Sequence, residues 1–358
     1  MRWFLVAPSE SDIDLEVTEE SDEEEGEPVE ARFEITSFPA DYTVRVMYEK
    51  WKQKQLIIPE FQRRYVWNLP QASRLIESFL LGLPIPQVFL YRERTSPKLL
   101  VIDGHQRLGT IARFYDEDFD EKRKFRLTGV SSRWNGLTYS ELPENDQIAL
   151  DDMPLRSIVI QQTDPDDDSS VYQIFERLNT GGTQLNAMEI RKALYHTRAY
   201  PLLERISRSD AWWALLGLQS EDRRLKEIEL LLRVLALTDT WESYVKPMKT
   251  WLTKHMARLE KTPETELSVY EERVAQRLTE IHAALGDRPF HLRSRLNAAA
   301  LDSVVATLLR APQLPENLAE RYADLRSEER FEQTTAQDTS DATVLKERFA
   351  LVQERLLG

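Results

Sequence analysis

Between Ile35 and about Thr197, short β-rich apolar runs alternate with amphipathic stretches, whereas beyond Tyr200 apolar residues recur at helical spacing with almost no strand signal. In the first stretch, Leu56-Ile57-Ile58 ahead of Pro59 predicts a short strand. Asn68 ahead of Pro70 predicts the start of a helix through Leu75, Ile76, Phe79 and Leu80. Gln87 to Arg92 and Leu99 to Ile102 predict two strands joined by a turn at Ser96-Pro97, and Leu155 to Ile160 predicts another. After Asp103-Gly104, apolar Leu108, Ile111, Ala112 and Tyr115 fall on one helical face, so a strand, a glycine turn and a helix follow in sequence. The later stretch predicts helices over Leu225 to Leu237, Val269 to Leu285, Leu296 to Leu309 and Val344 to Leu357, with no repeat at a solenoid period. The expected fold class is α+β: an α/β unit over residues 34–198, then an all-helical unit over residues 199–358.

Composition changes this picture mainly at the N-terminus. The chain has 358 residues, 41% of them hydrophobic, enough for two units with their own cores. The formal net charge of −14 argues against nucleic acid only if it is spread evenly. Residues 1–30 hold 12 acids and one base. With these set aside from totals of 61 and 47, the remainder has 49 acids facing 46 bases. Ser9 to Glu30 has almost no large apolar residue, so residues 1–33 are expected to form a disordered acidic tail, either a solubilising leader or a decoy competing with DNA. No apolar run approaches a membrane span, and the first eight residues fit no secretory signal. Cysteine is absent, which removes disulfides, thiolate nucleophiles and cysteine-ligated zinc. A soluble cytoplasmic protein is expected.

Candidate chemistry concentrates where the Leu99 to Ile102 strand delivers Asp103 and Gly104 to a helix start. Free backbone N–H groups and the helix dipole favour a phosphate there, and a glycine lets it approach the backbone. Arg107 could add a forked guanidinium, Asp103 could hold Mg²⁺ or orient that arginine, and His105 and Gln106 supply further donors. The plain alternative is a common Asp-Gly turn with Arg107 exposed on the helix. Upstream, Gln62-Arg63-Arg64-Tyr65-Val66-Trp67 sets phosphate donors beside flat rings on which a base could stack, unless Tyr65 and Trp67 are core or lid residues. Downstream, Asn179-Thr180-Gly181-Gly182 could bring amides to a ligand or form a tight interhelical turn, with Asn186 and Glu189 capping the next helix. The remaining histidines, His196, His255, His282 and His291, form no metal-binding pattern.

Asp103-Gly104-His105-Gln106-Arg107 resembles the DGQQR signature of a large bacterial domain family, with His105 in place of the usual first glutamine. That family supplies the N-terminal domain of GmrSD-type modification-dependent restriction enzymes and of SspE, a phosphorothioation-linked defence protein. Ile58 to Trp67, and Phe175 to Asn186 followed by Glu189-Ile190-Arg191, also resemble family motifs. The resemblance therefore spans roughly residues 40 to 200. It implies a ParB/sulfiredoxin-like fold and a nucleoside triphosphate site. In that site Asp103, Gln106 and Arg107 are catalytic, with Asp103 a candidate Mg²⁺ ligand. Gln62, Arg63, Arg64, Tyr65, Trp67, Gly104, His105, Thr110, Asn179, Thr180, Gly181 and Gly182 bind nucleotide, all converging on one cleft. The implied function is a nucleotide-binding, NTP-hydrolysing switch in prokaryotic defence against foreign or modified DNA, with DNA and a partner nuclease or modification enzyme as partners. Two alternatives stay open: a non-catalytic sensing module that recruits a nuclease, and a ParB-like DNA nickase.

Overall fold

The computed structural model describes residues 17–18, 35–58, 65–92, 97–120, 123–162, 174, 186–222, 224–292 and 294–358. It divides into two compact units, Ala31–Leu185 and a helical unit beginning at Asn186.

The first unit is built on a mixed five-stranded sheet. Its strands are β1 (Ile35–Pro39), β2 (Leu56–Ile57), β3 (Val88–Arg92), β4 (Leu99–Asp103) and β5 (Ser157–Gln162), in the order β1-β5-β3-β4-β2. β5 runs antiparallel to β1 and parallel to β3, while β4 runs antiparallel to β3 and parallel to β2. Leu99, Leu100, Val101 and Ile102 are all buried, so β4 reads as a continuous apolar run, as a strand covered on both faces must. The β3–β4 register slips between Phe89 and Leu90, placing Phe89 opposite Asp103 and Leu90 opposite Val101 at the end where the chain leaves the sheet.

Four helices of at least two turns accompany the sheet among the described residues: α1 (Val44–Lys52), α2 (Leu69–Leu80), α3 (His105–Tyr115) and α4 (Glu144–Asp152). The Asn68 side chain accepts from the Gln71 backbone and Gln71 reaches back to Asn68, a capping box that starts α2 where Asn68-Pro70 predicts it. Stacked tyrosines tie α1 to α3. The Tyr48 and Tyr115 rings lie 4.6 Å apart and the Tyr115 and Tyr139 rings 4.4 Å apart. Their hydroxyls donate to Asp116 and Asp151 at 2.7 to 3.0 Å.

α3 begins at Gly104, which sits at φ +103°, where a side chain is strained. It is also pressed against β3, since a Cβ at this position would lie 2.4 Å from Cγ1 of Val88. Glycine is required here twice over.

The helical unit contains helices at Ala187–Leu194, Lys226–Thr238, Glu264–Leu285, Ala298–Arg310 and Ala342–Leu357, among others. Two expectations need correction here. The division falls at Asn186 rather than after residue 198: the Asn186–Glu189 capping box starts a helix whose fully buried Arg191 binds Glu229 at 2.8 Å and the Lys249 carbonyl at 3.0 Å, all within the helical unit. The second unit is helical as expected, and within it Arg295–Asn297 pairs with His291–Leu292 in a short hairpin. Asn297 caps Ala300, which moves the helix start from Leu296 to Ala298. The acidic segment is not wholly without structure either. The β-branched pair Val17–Thr18 lies parallel to Leu296–Asn297. In the core, Asp302 faces two arginines, Arg233 at 2.7 Å and Arg348 at 3.5 Å, each of the three under a tenth exposed.

Two outcomes follow from these packing facts. Gly104→Ala should cost about 2 to 5 kcal/mol in urea unfolding, combining left-handed strain with overpacking against Val88. Gly82→Ala, at φ +69° with open space around it, should cost only about 1 to 2 kcal/mol. Equal losses would show that the contact with Val88 is not tight.

Glu227 is 2% exposed, and one of its carboxylate oxygens has no partner among the described residues. Burial, assisted by Asp222, pushes its carboxyl up to about 7. A folded-state value above the unfolded one means the native protein binds this proton more tightly. Stability should therefore fall as pH rises from the ordinary carboxylate range through 7. Melting temperatures at pH 5.5 and 8 should show this slope, and Glu227→Gln should flatten it. An unchanged slope in the variant would refute the assignment.

Candidate functional site

A cleft of about 440 Å³ opens in the first unit beside the β2 edge strand. Among the described residues, its lining comes from five places in the chain. Trp51 and Lys54 come from the end of α1 and the turn after it, and Leu56, Ile57 and Ile58 from β2 and the residue beyond. Tyr65 and Lys98 lie ahead of α2 and β4. His105, Gly109 and Arg113 come from α3. The last three are spaced four residues apart, which places them in one row on the helix. Among the described residues, three cations and no carboxylate line the cleft, together with the Trp51 and Tyr65 rings.

Tyr65 is locked in place rather than left open. Thr110 donates its hydroxyl to the Gln106 carbonyl at 2.8 Å, so the 2.7 Å contact between Tyr65 and Thr110 has the tyrosine hydroxyl as donor. The Arg113 guanidinium lies 3.9 Å from the centre of the Tyr65 ring, and Phe119 meets it edge-on at 6.0 Å. Gly109 allows this packing, since a Cβ there would approach the ring to 3.2 Å. Arg113 is itself held by the Phe119 carbonyl at 3.1 Å.

The Asp103 to Arg107 motif divides its residues between two directions. His105 lines the cleft. Arg107 instead turns back, donating to Asp103 at 2.7 Å and to the Gln87 carbonyl at 3.2 Å, with the Arg107 side chain 15% exposed and that of Asp103 32%. Neither Asp103 nor Arg107 lines the cleft. Gln106 bridges outward: its Oε1 accepts the Val66 backbone N–H at 3.1 Å and its Nε2 lies 2.8 Å from Nε2 of His105. Burial holds His105 below the ordinary histidine value; nearby Asp103 opposes this and Arg107 adds to it. His105 is therefore neutral near pH 7.

Of the residues singled out by sequence, Tyr65 and His105 reach the cleft. Thr110 is fully buried beneath Tyr65, and Gly104, Gln106 and Trp67 shape the surroundings, with Trp67 packed on the core. Gln62, Arg63, Arg64, Asn179, Thr180, Gly181 and Gly182 lie outside the described residues, so their expected convergence is not described. Sequence reasoning missed Trp51, Lys54, Lys98 and Arg113. Only Arg113 carried a signal, two turns along the helix from His105. As for magnesium, Asp103 has Arg107 as its counter-ion, and among the described residues no three His, Cys, Asp or Glu side chains come together to hold a metal.

Residues 45–196 match the family described as the N-terminal domain of the GmrSD restriction endonuclease. These residues form a domain of that DGQQR-motif family. No curated protein matches the chain. The matched span takes in Ala187–Leu194, the first helix of the helical unit. Among the described residues, no helix is long and apolar enough to cross a membrane.

The pairing of Arg107 sets up a separable outcome. Arg107→Ala should lower stability by about 1 to 3 kcal/mol, because it strands a half-buried carboxylate and frees the Gln87 carbonyl. Urea unfolding of the variant beside the parent measures this. A fully stable Arg107→Ala protein that no longer binds nucleotide would instead make Arg107 a ligand residue.

Proposed function

We propose that the cleft binds a nucleoside triphosphate and that its occupancy switches a DNA-directed restriction assembly. The observation that carries this reading is the cleft lining itself, where Lys54, Lys98 and Arg113 gather beside the Trp51 and Tyr65 rings. Three cations suit a polyphosphate. The Arg113 guanidinium already lies against one face of Tyr65, so Trp51 is the ring better placed to take a base. Magnesium in this reading travels with the phosphates of the nucleotide.

Hydrolysis is the first form of the proposal, with positioned charge rather than a covalent nucleophile supporting attack by water on phosphorus. A second form is favoured by the contacts of Arg107 with Asp103 and Gln87, which occupy the two groups hydrolysis would draw on. Here the cleft senses nucleotide without cleaving it, and the chain recruits a partner nuclease.

Calorimetric titration with ATP, GTP, CTP and UTP, with and without Mg²⁺, tests the shared claim. A charged hydrogen bond weakened by solvent is worth about 1 kcal/mol, so Lys54→Ala and Lys98→Ala should each reduce affinity about 5-fold. Both side chains are exposed, and melting temperatures should not move. Undiminished affinity in the double variant would remove the cleft as the site. Phosphate release, measured with and without DNA, then separates hydrolysis from sensing.

A further inference from the structure

The contacts with Val66 and His105 set the orientation of the Gln106 amide. The Val66 backbone N–H can only donate, so the Gln106 atom facing it at 3.1 Å is the oxygen, and the amide nitrogen faces His105. That nitrogen can in turn only donate. Nε2 of His105, 2.8 Å away, must therefore accept, and the neutral ring carries its proton on Nδ1. A doubly protonated ring would set one N–H against another. No hydrogen-bond partner for Nδ1 stands among the described residues, and His105 lines the cleft.

We propose that Gln106 is a positioning residue that fixes His105 as the Nδ1–H tautomer, and that this N–H is an uncharged donor through which the cleft reads an acceptor atom of its ligand. The tautomer stands on the geometry alone, while the ligand's class rests on the nucleotide reading above. The division of labour is chemical. Lys54, Lys98 and Arg113 attract charge without regard to what carries it. A single oriented donor, by contrast, discriminates, because a ligand lacking the matching acceptor leaves it unpaired.

Long-range proton–nitrogen NMR of the ligand-free, histidine-labelled chain tests the tautomer, with the His105 signals identified by their loss in His105→Gln. The parent should show His105 protonated at Nδ1 and bare at Nε2. In Gln106→Glu, whose carboxylate offers only acceptors, the proton should appear on Nε2. A parent ring protonated at Nε2, or a pattern that Gln106→Glu leaves unmoved, would overturn the positioning role.

Nucleotide titration tests the donor. His105→Phe should weaken binding about 2- to 12-fold, the worth of one neutral hydrogen bond. His105→Gln, which keeps a donor, should stay within about 2-fold of the parent. Equal affinities for the parent and His105→Phe would overturn the donor role. If the parent bound no nucleotide while the tautomer held, the nucleotide reading alone would fall.

Discussion

The left-handed turn at Gly104 is the constraint on which the candidate site depends. Its backbone passes so close to Val88 that no side chain fits, and its φ of +103° swings the chain from β4 directly into α3. The rotational setting of α3 follows from that turn, because the first residue after it fixes where every later one points. His105, Gly109 and Arg113 then share one row along a cleft. Asp103 and Arg107, from the same five-residue motif, close on each other beside Gln87.

This division separates two electrostatic tasks. The Asp103–Arg107 pair is partly shielded from solvent and is joined to a backbone carbonyl. It fixes the helix start to the neighbouring strand, and it keeps the Asp103 carboxylate out of the cleft lining. The cleft's cations come from elsewhere: one from the turn after α1, one from the residue before β4, and one far along α3. The stacked tyrosines between α1 and α3 hold two of those sources together.

Much of this architecture was legible in the sequence. β4, the glycine turn and the helix after it follow from an apolar run, a residue without Cβ and a 3.6-residue period, all local signals. The capping boxes at Asn68 and Asn186 were likewise local. What could not be read is what depends on distant partners. Lys54 and Lys98 look like ordinary surface lysines until the turn after α1 and the start of β4 meet at one cleft, and Val17–Thr18 gains meaning only from Leu296–Asn297. The motif itself misled in one respect. A contiguous signature suggests one shared role, but helical geometry sends residues 105 and 107 to different sides.

The most direct measurement is a crystal structure of the chain with a non-hydrolysable nucleoside triphosphate and magnesium. The cleft assignment predicts phosphate oxygens within hydrogen-bond reach of Lys54, Lys98 and Arg113, with Arg107 still bound to Asp103 and to the Gln87 carbonyl. Phosphates seated on Arg107, with Asp103 released from it, would contradict that assignment.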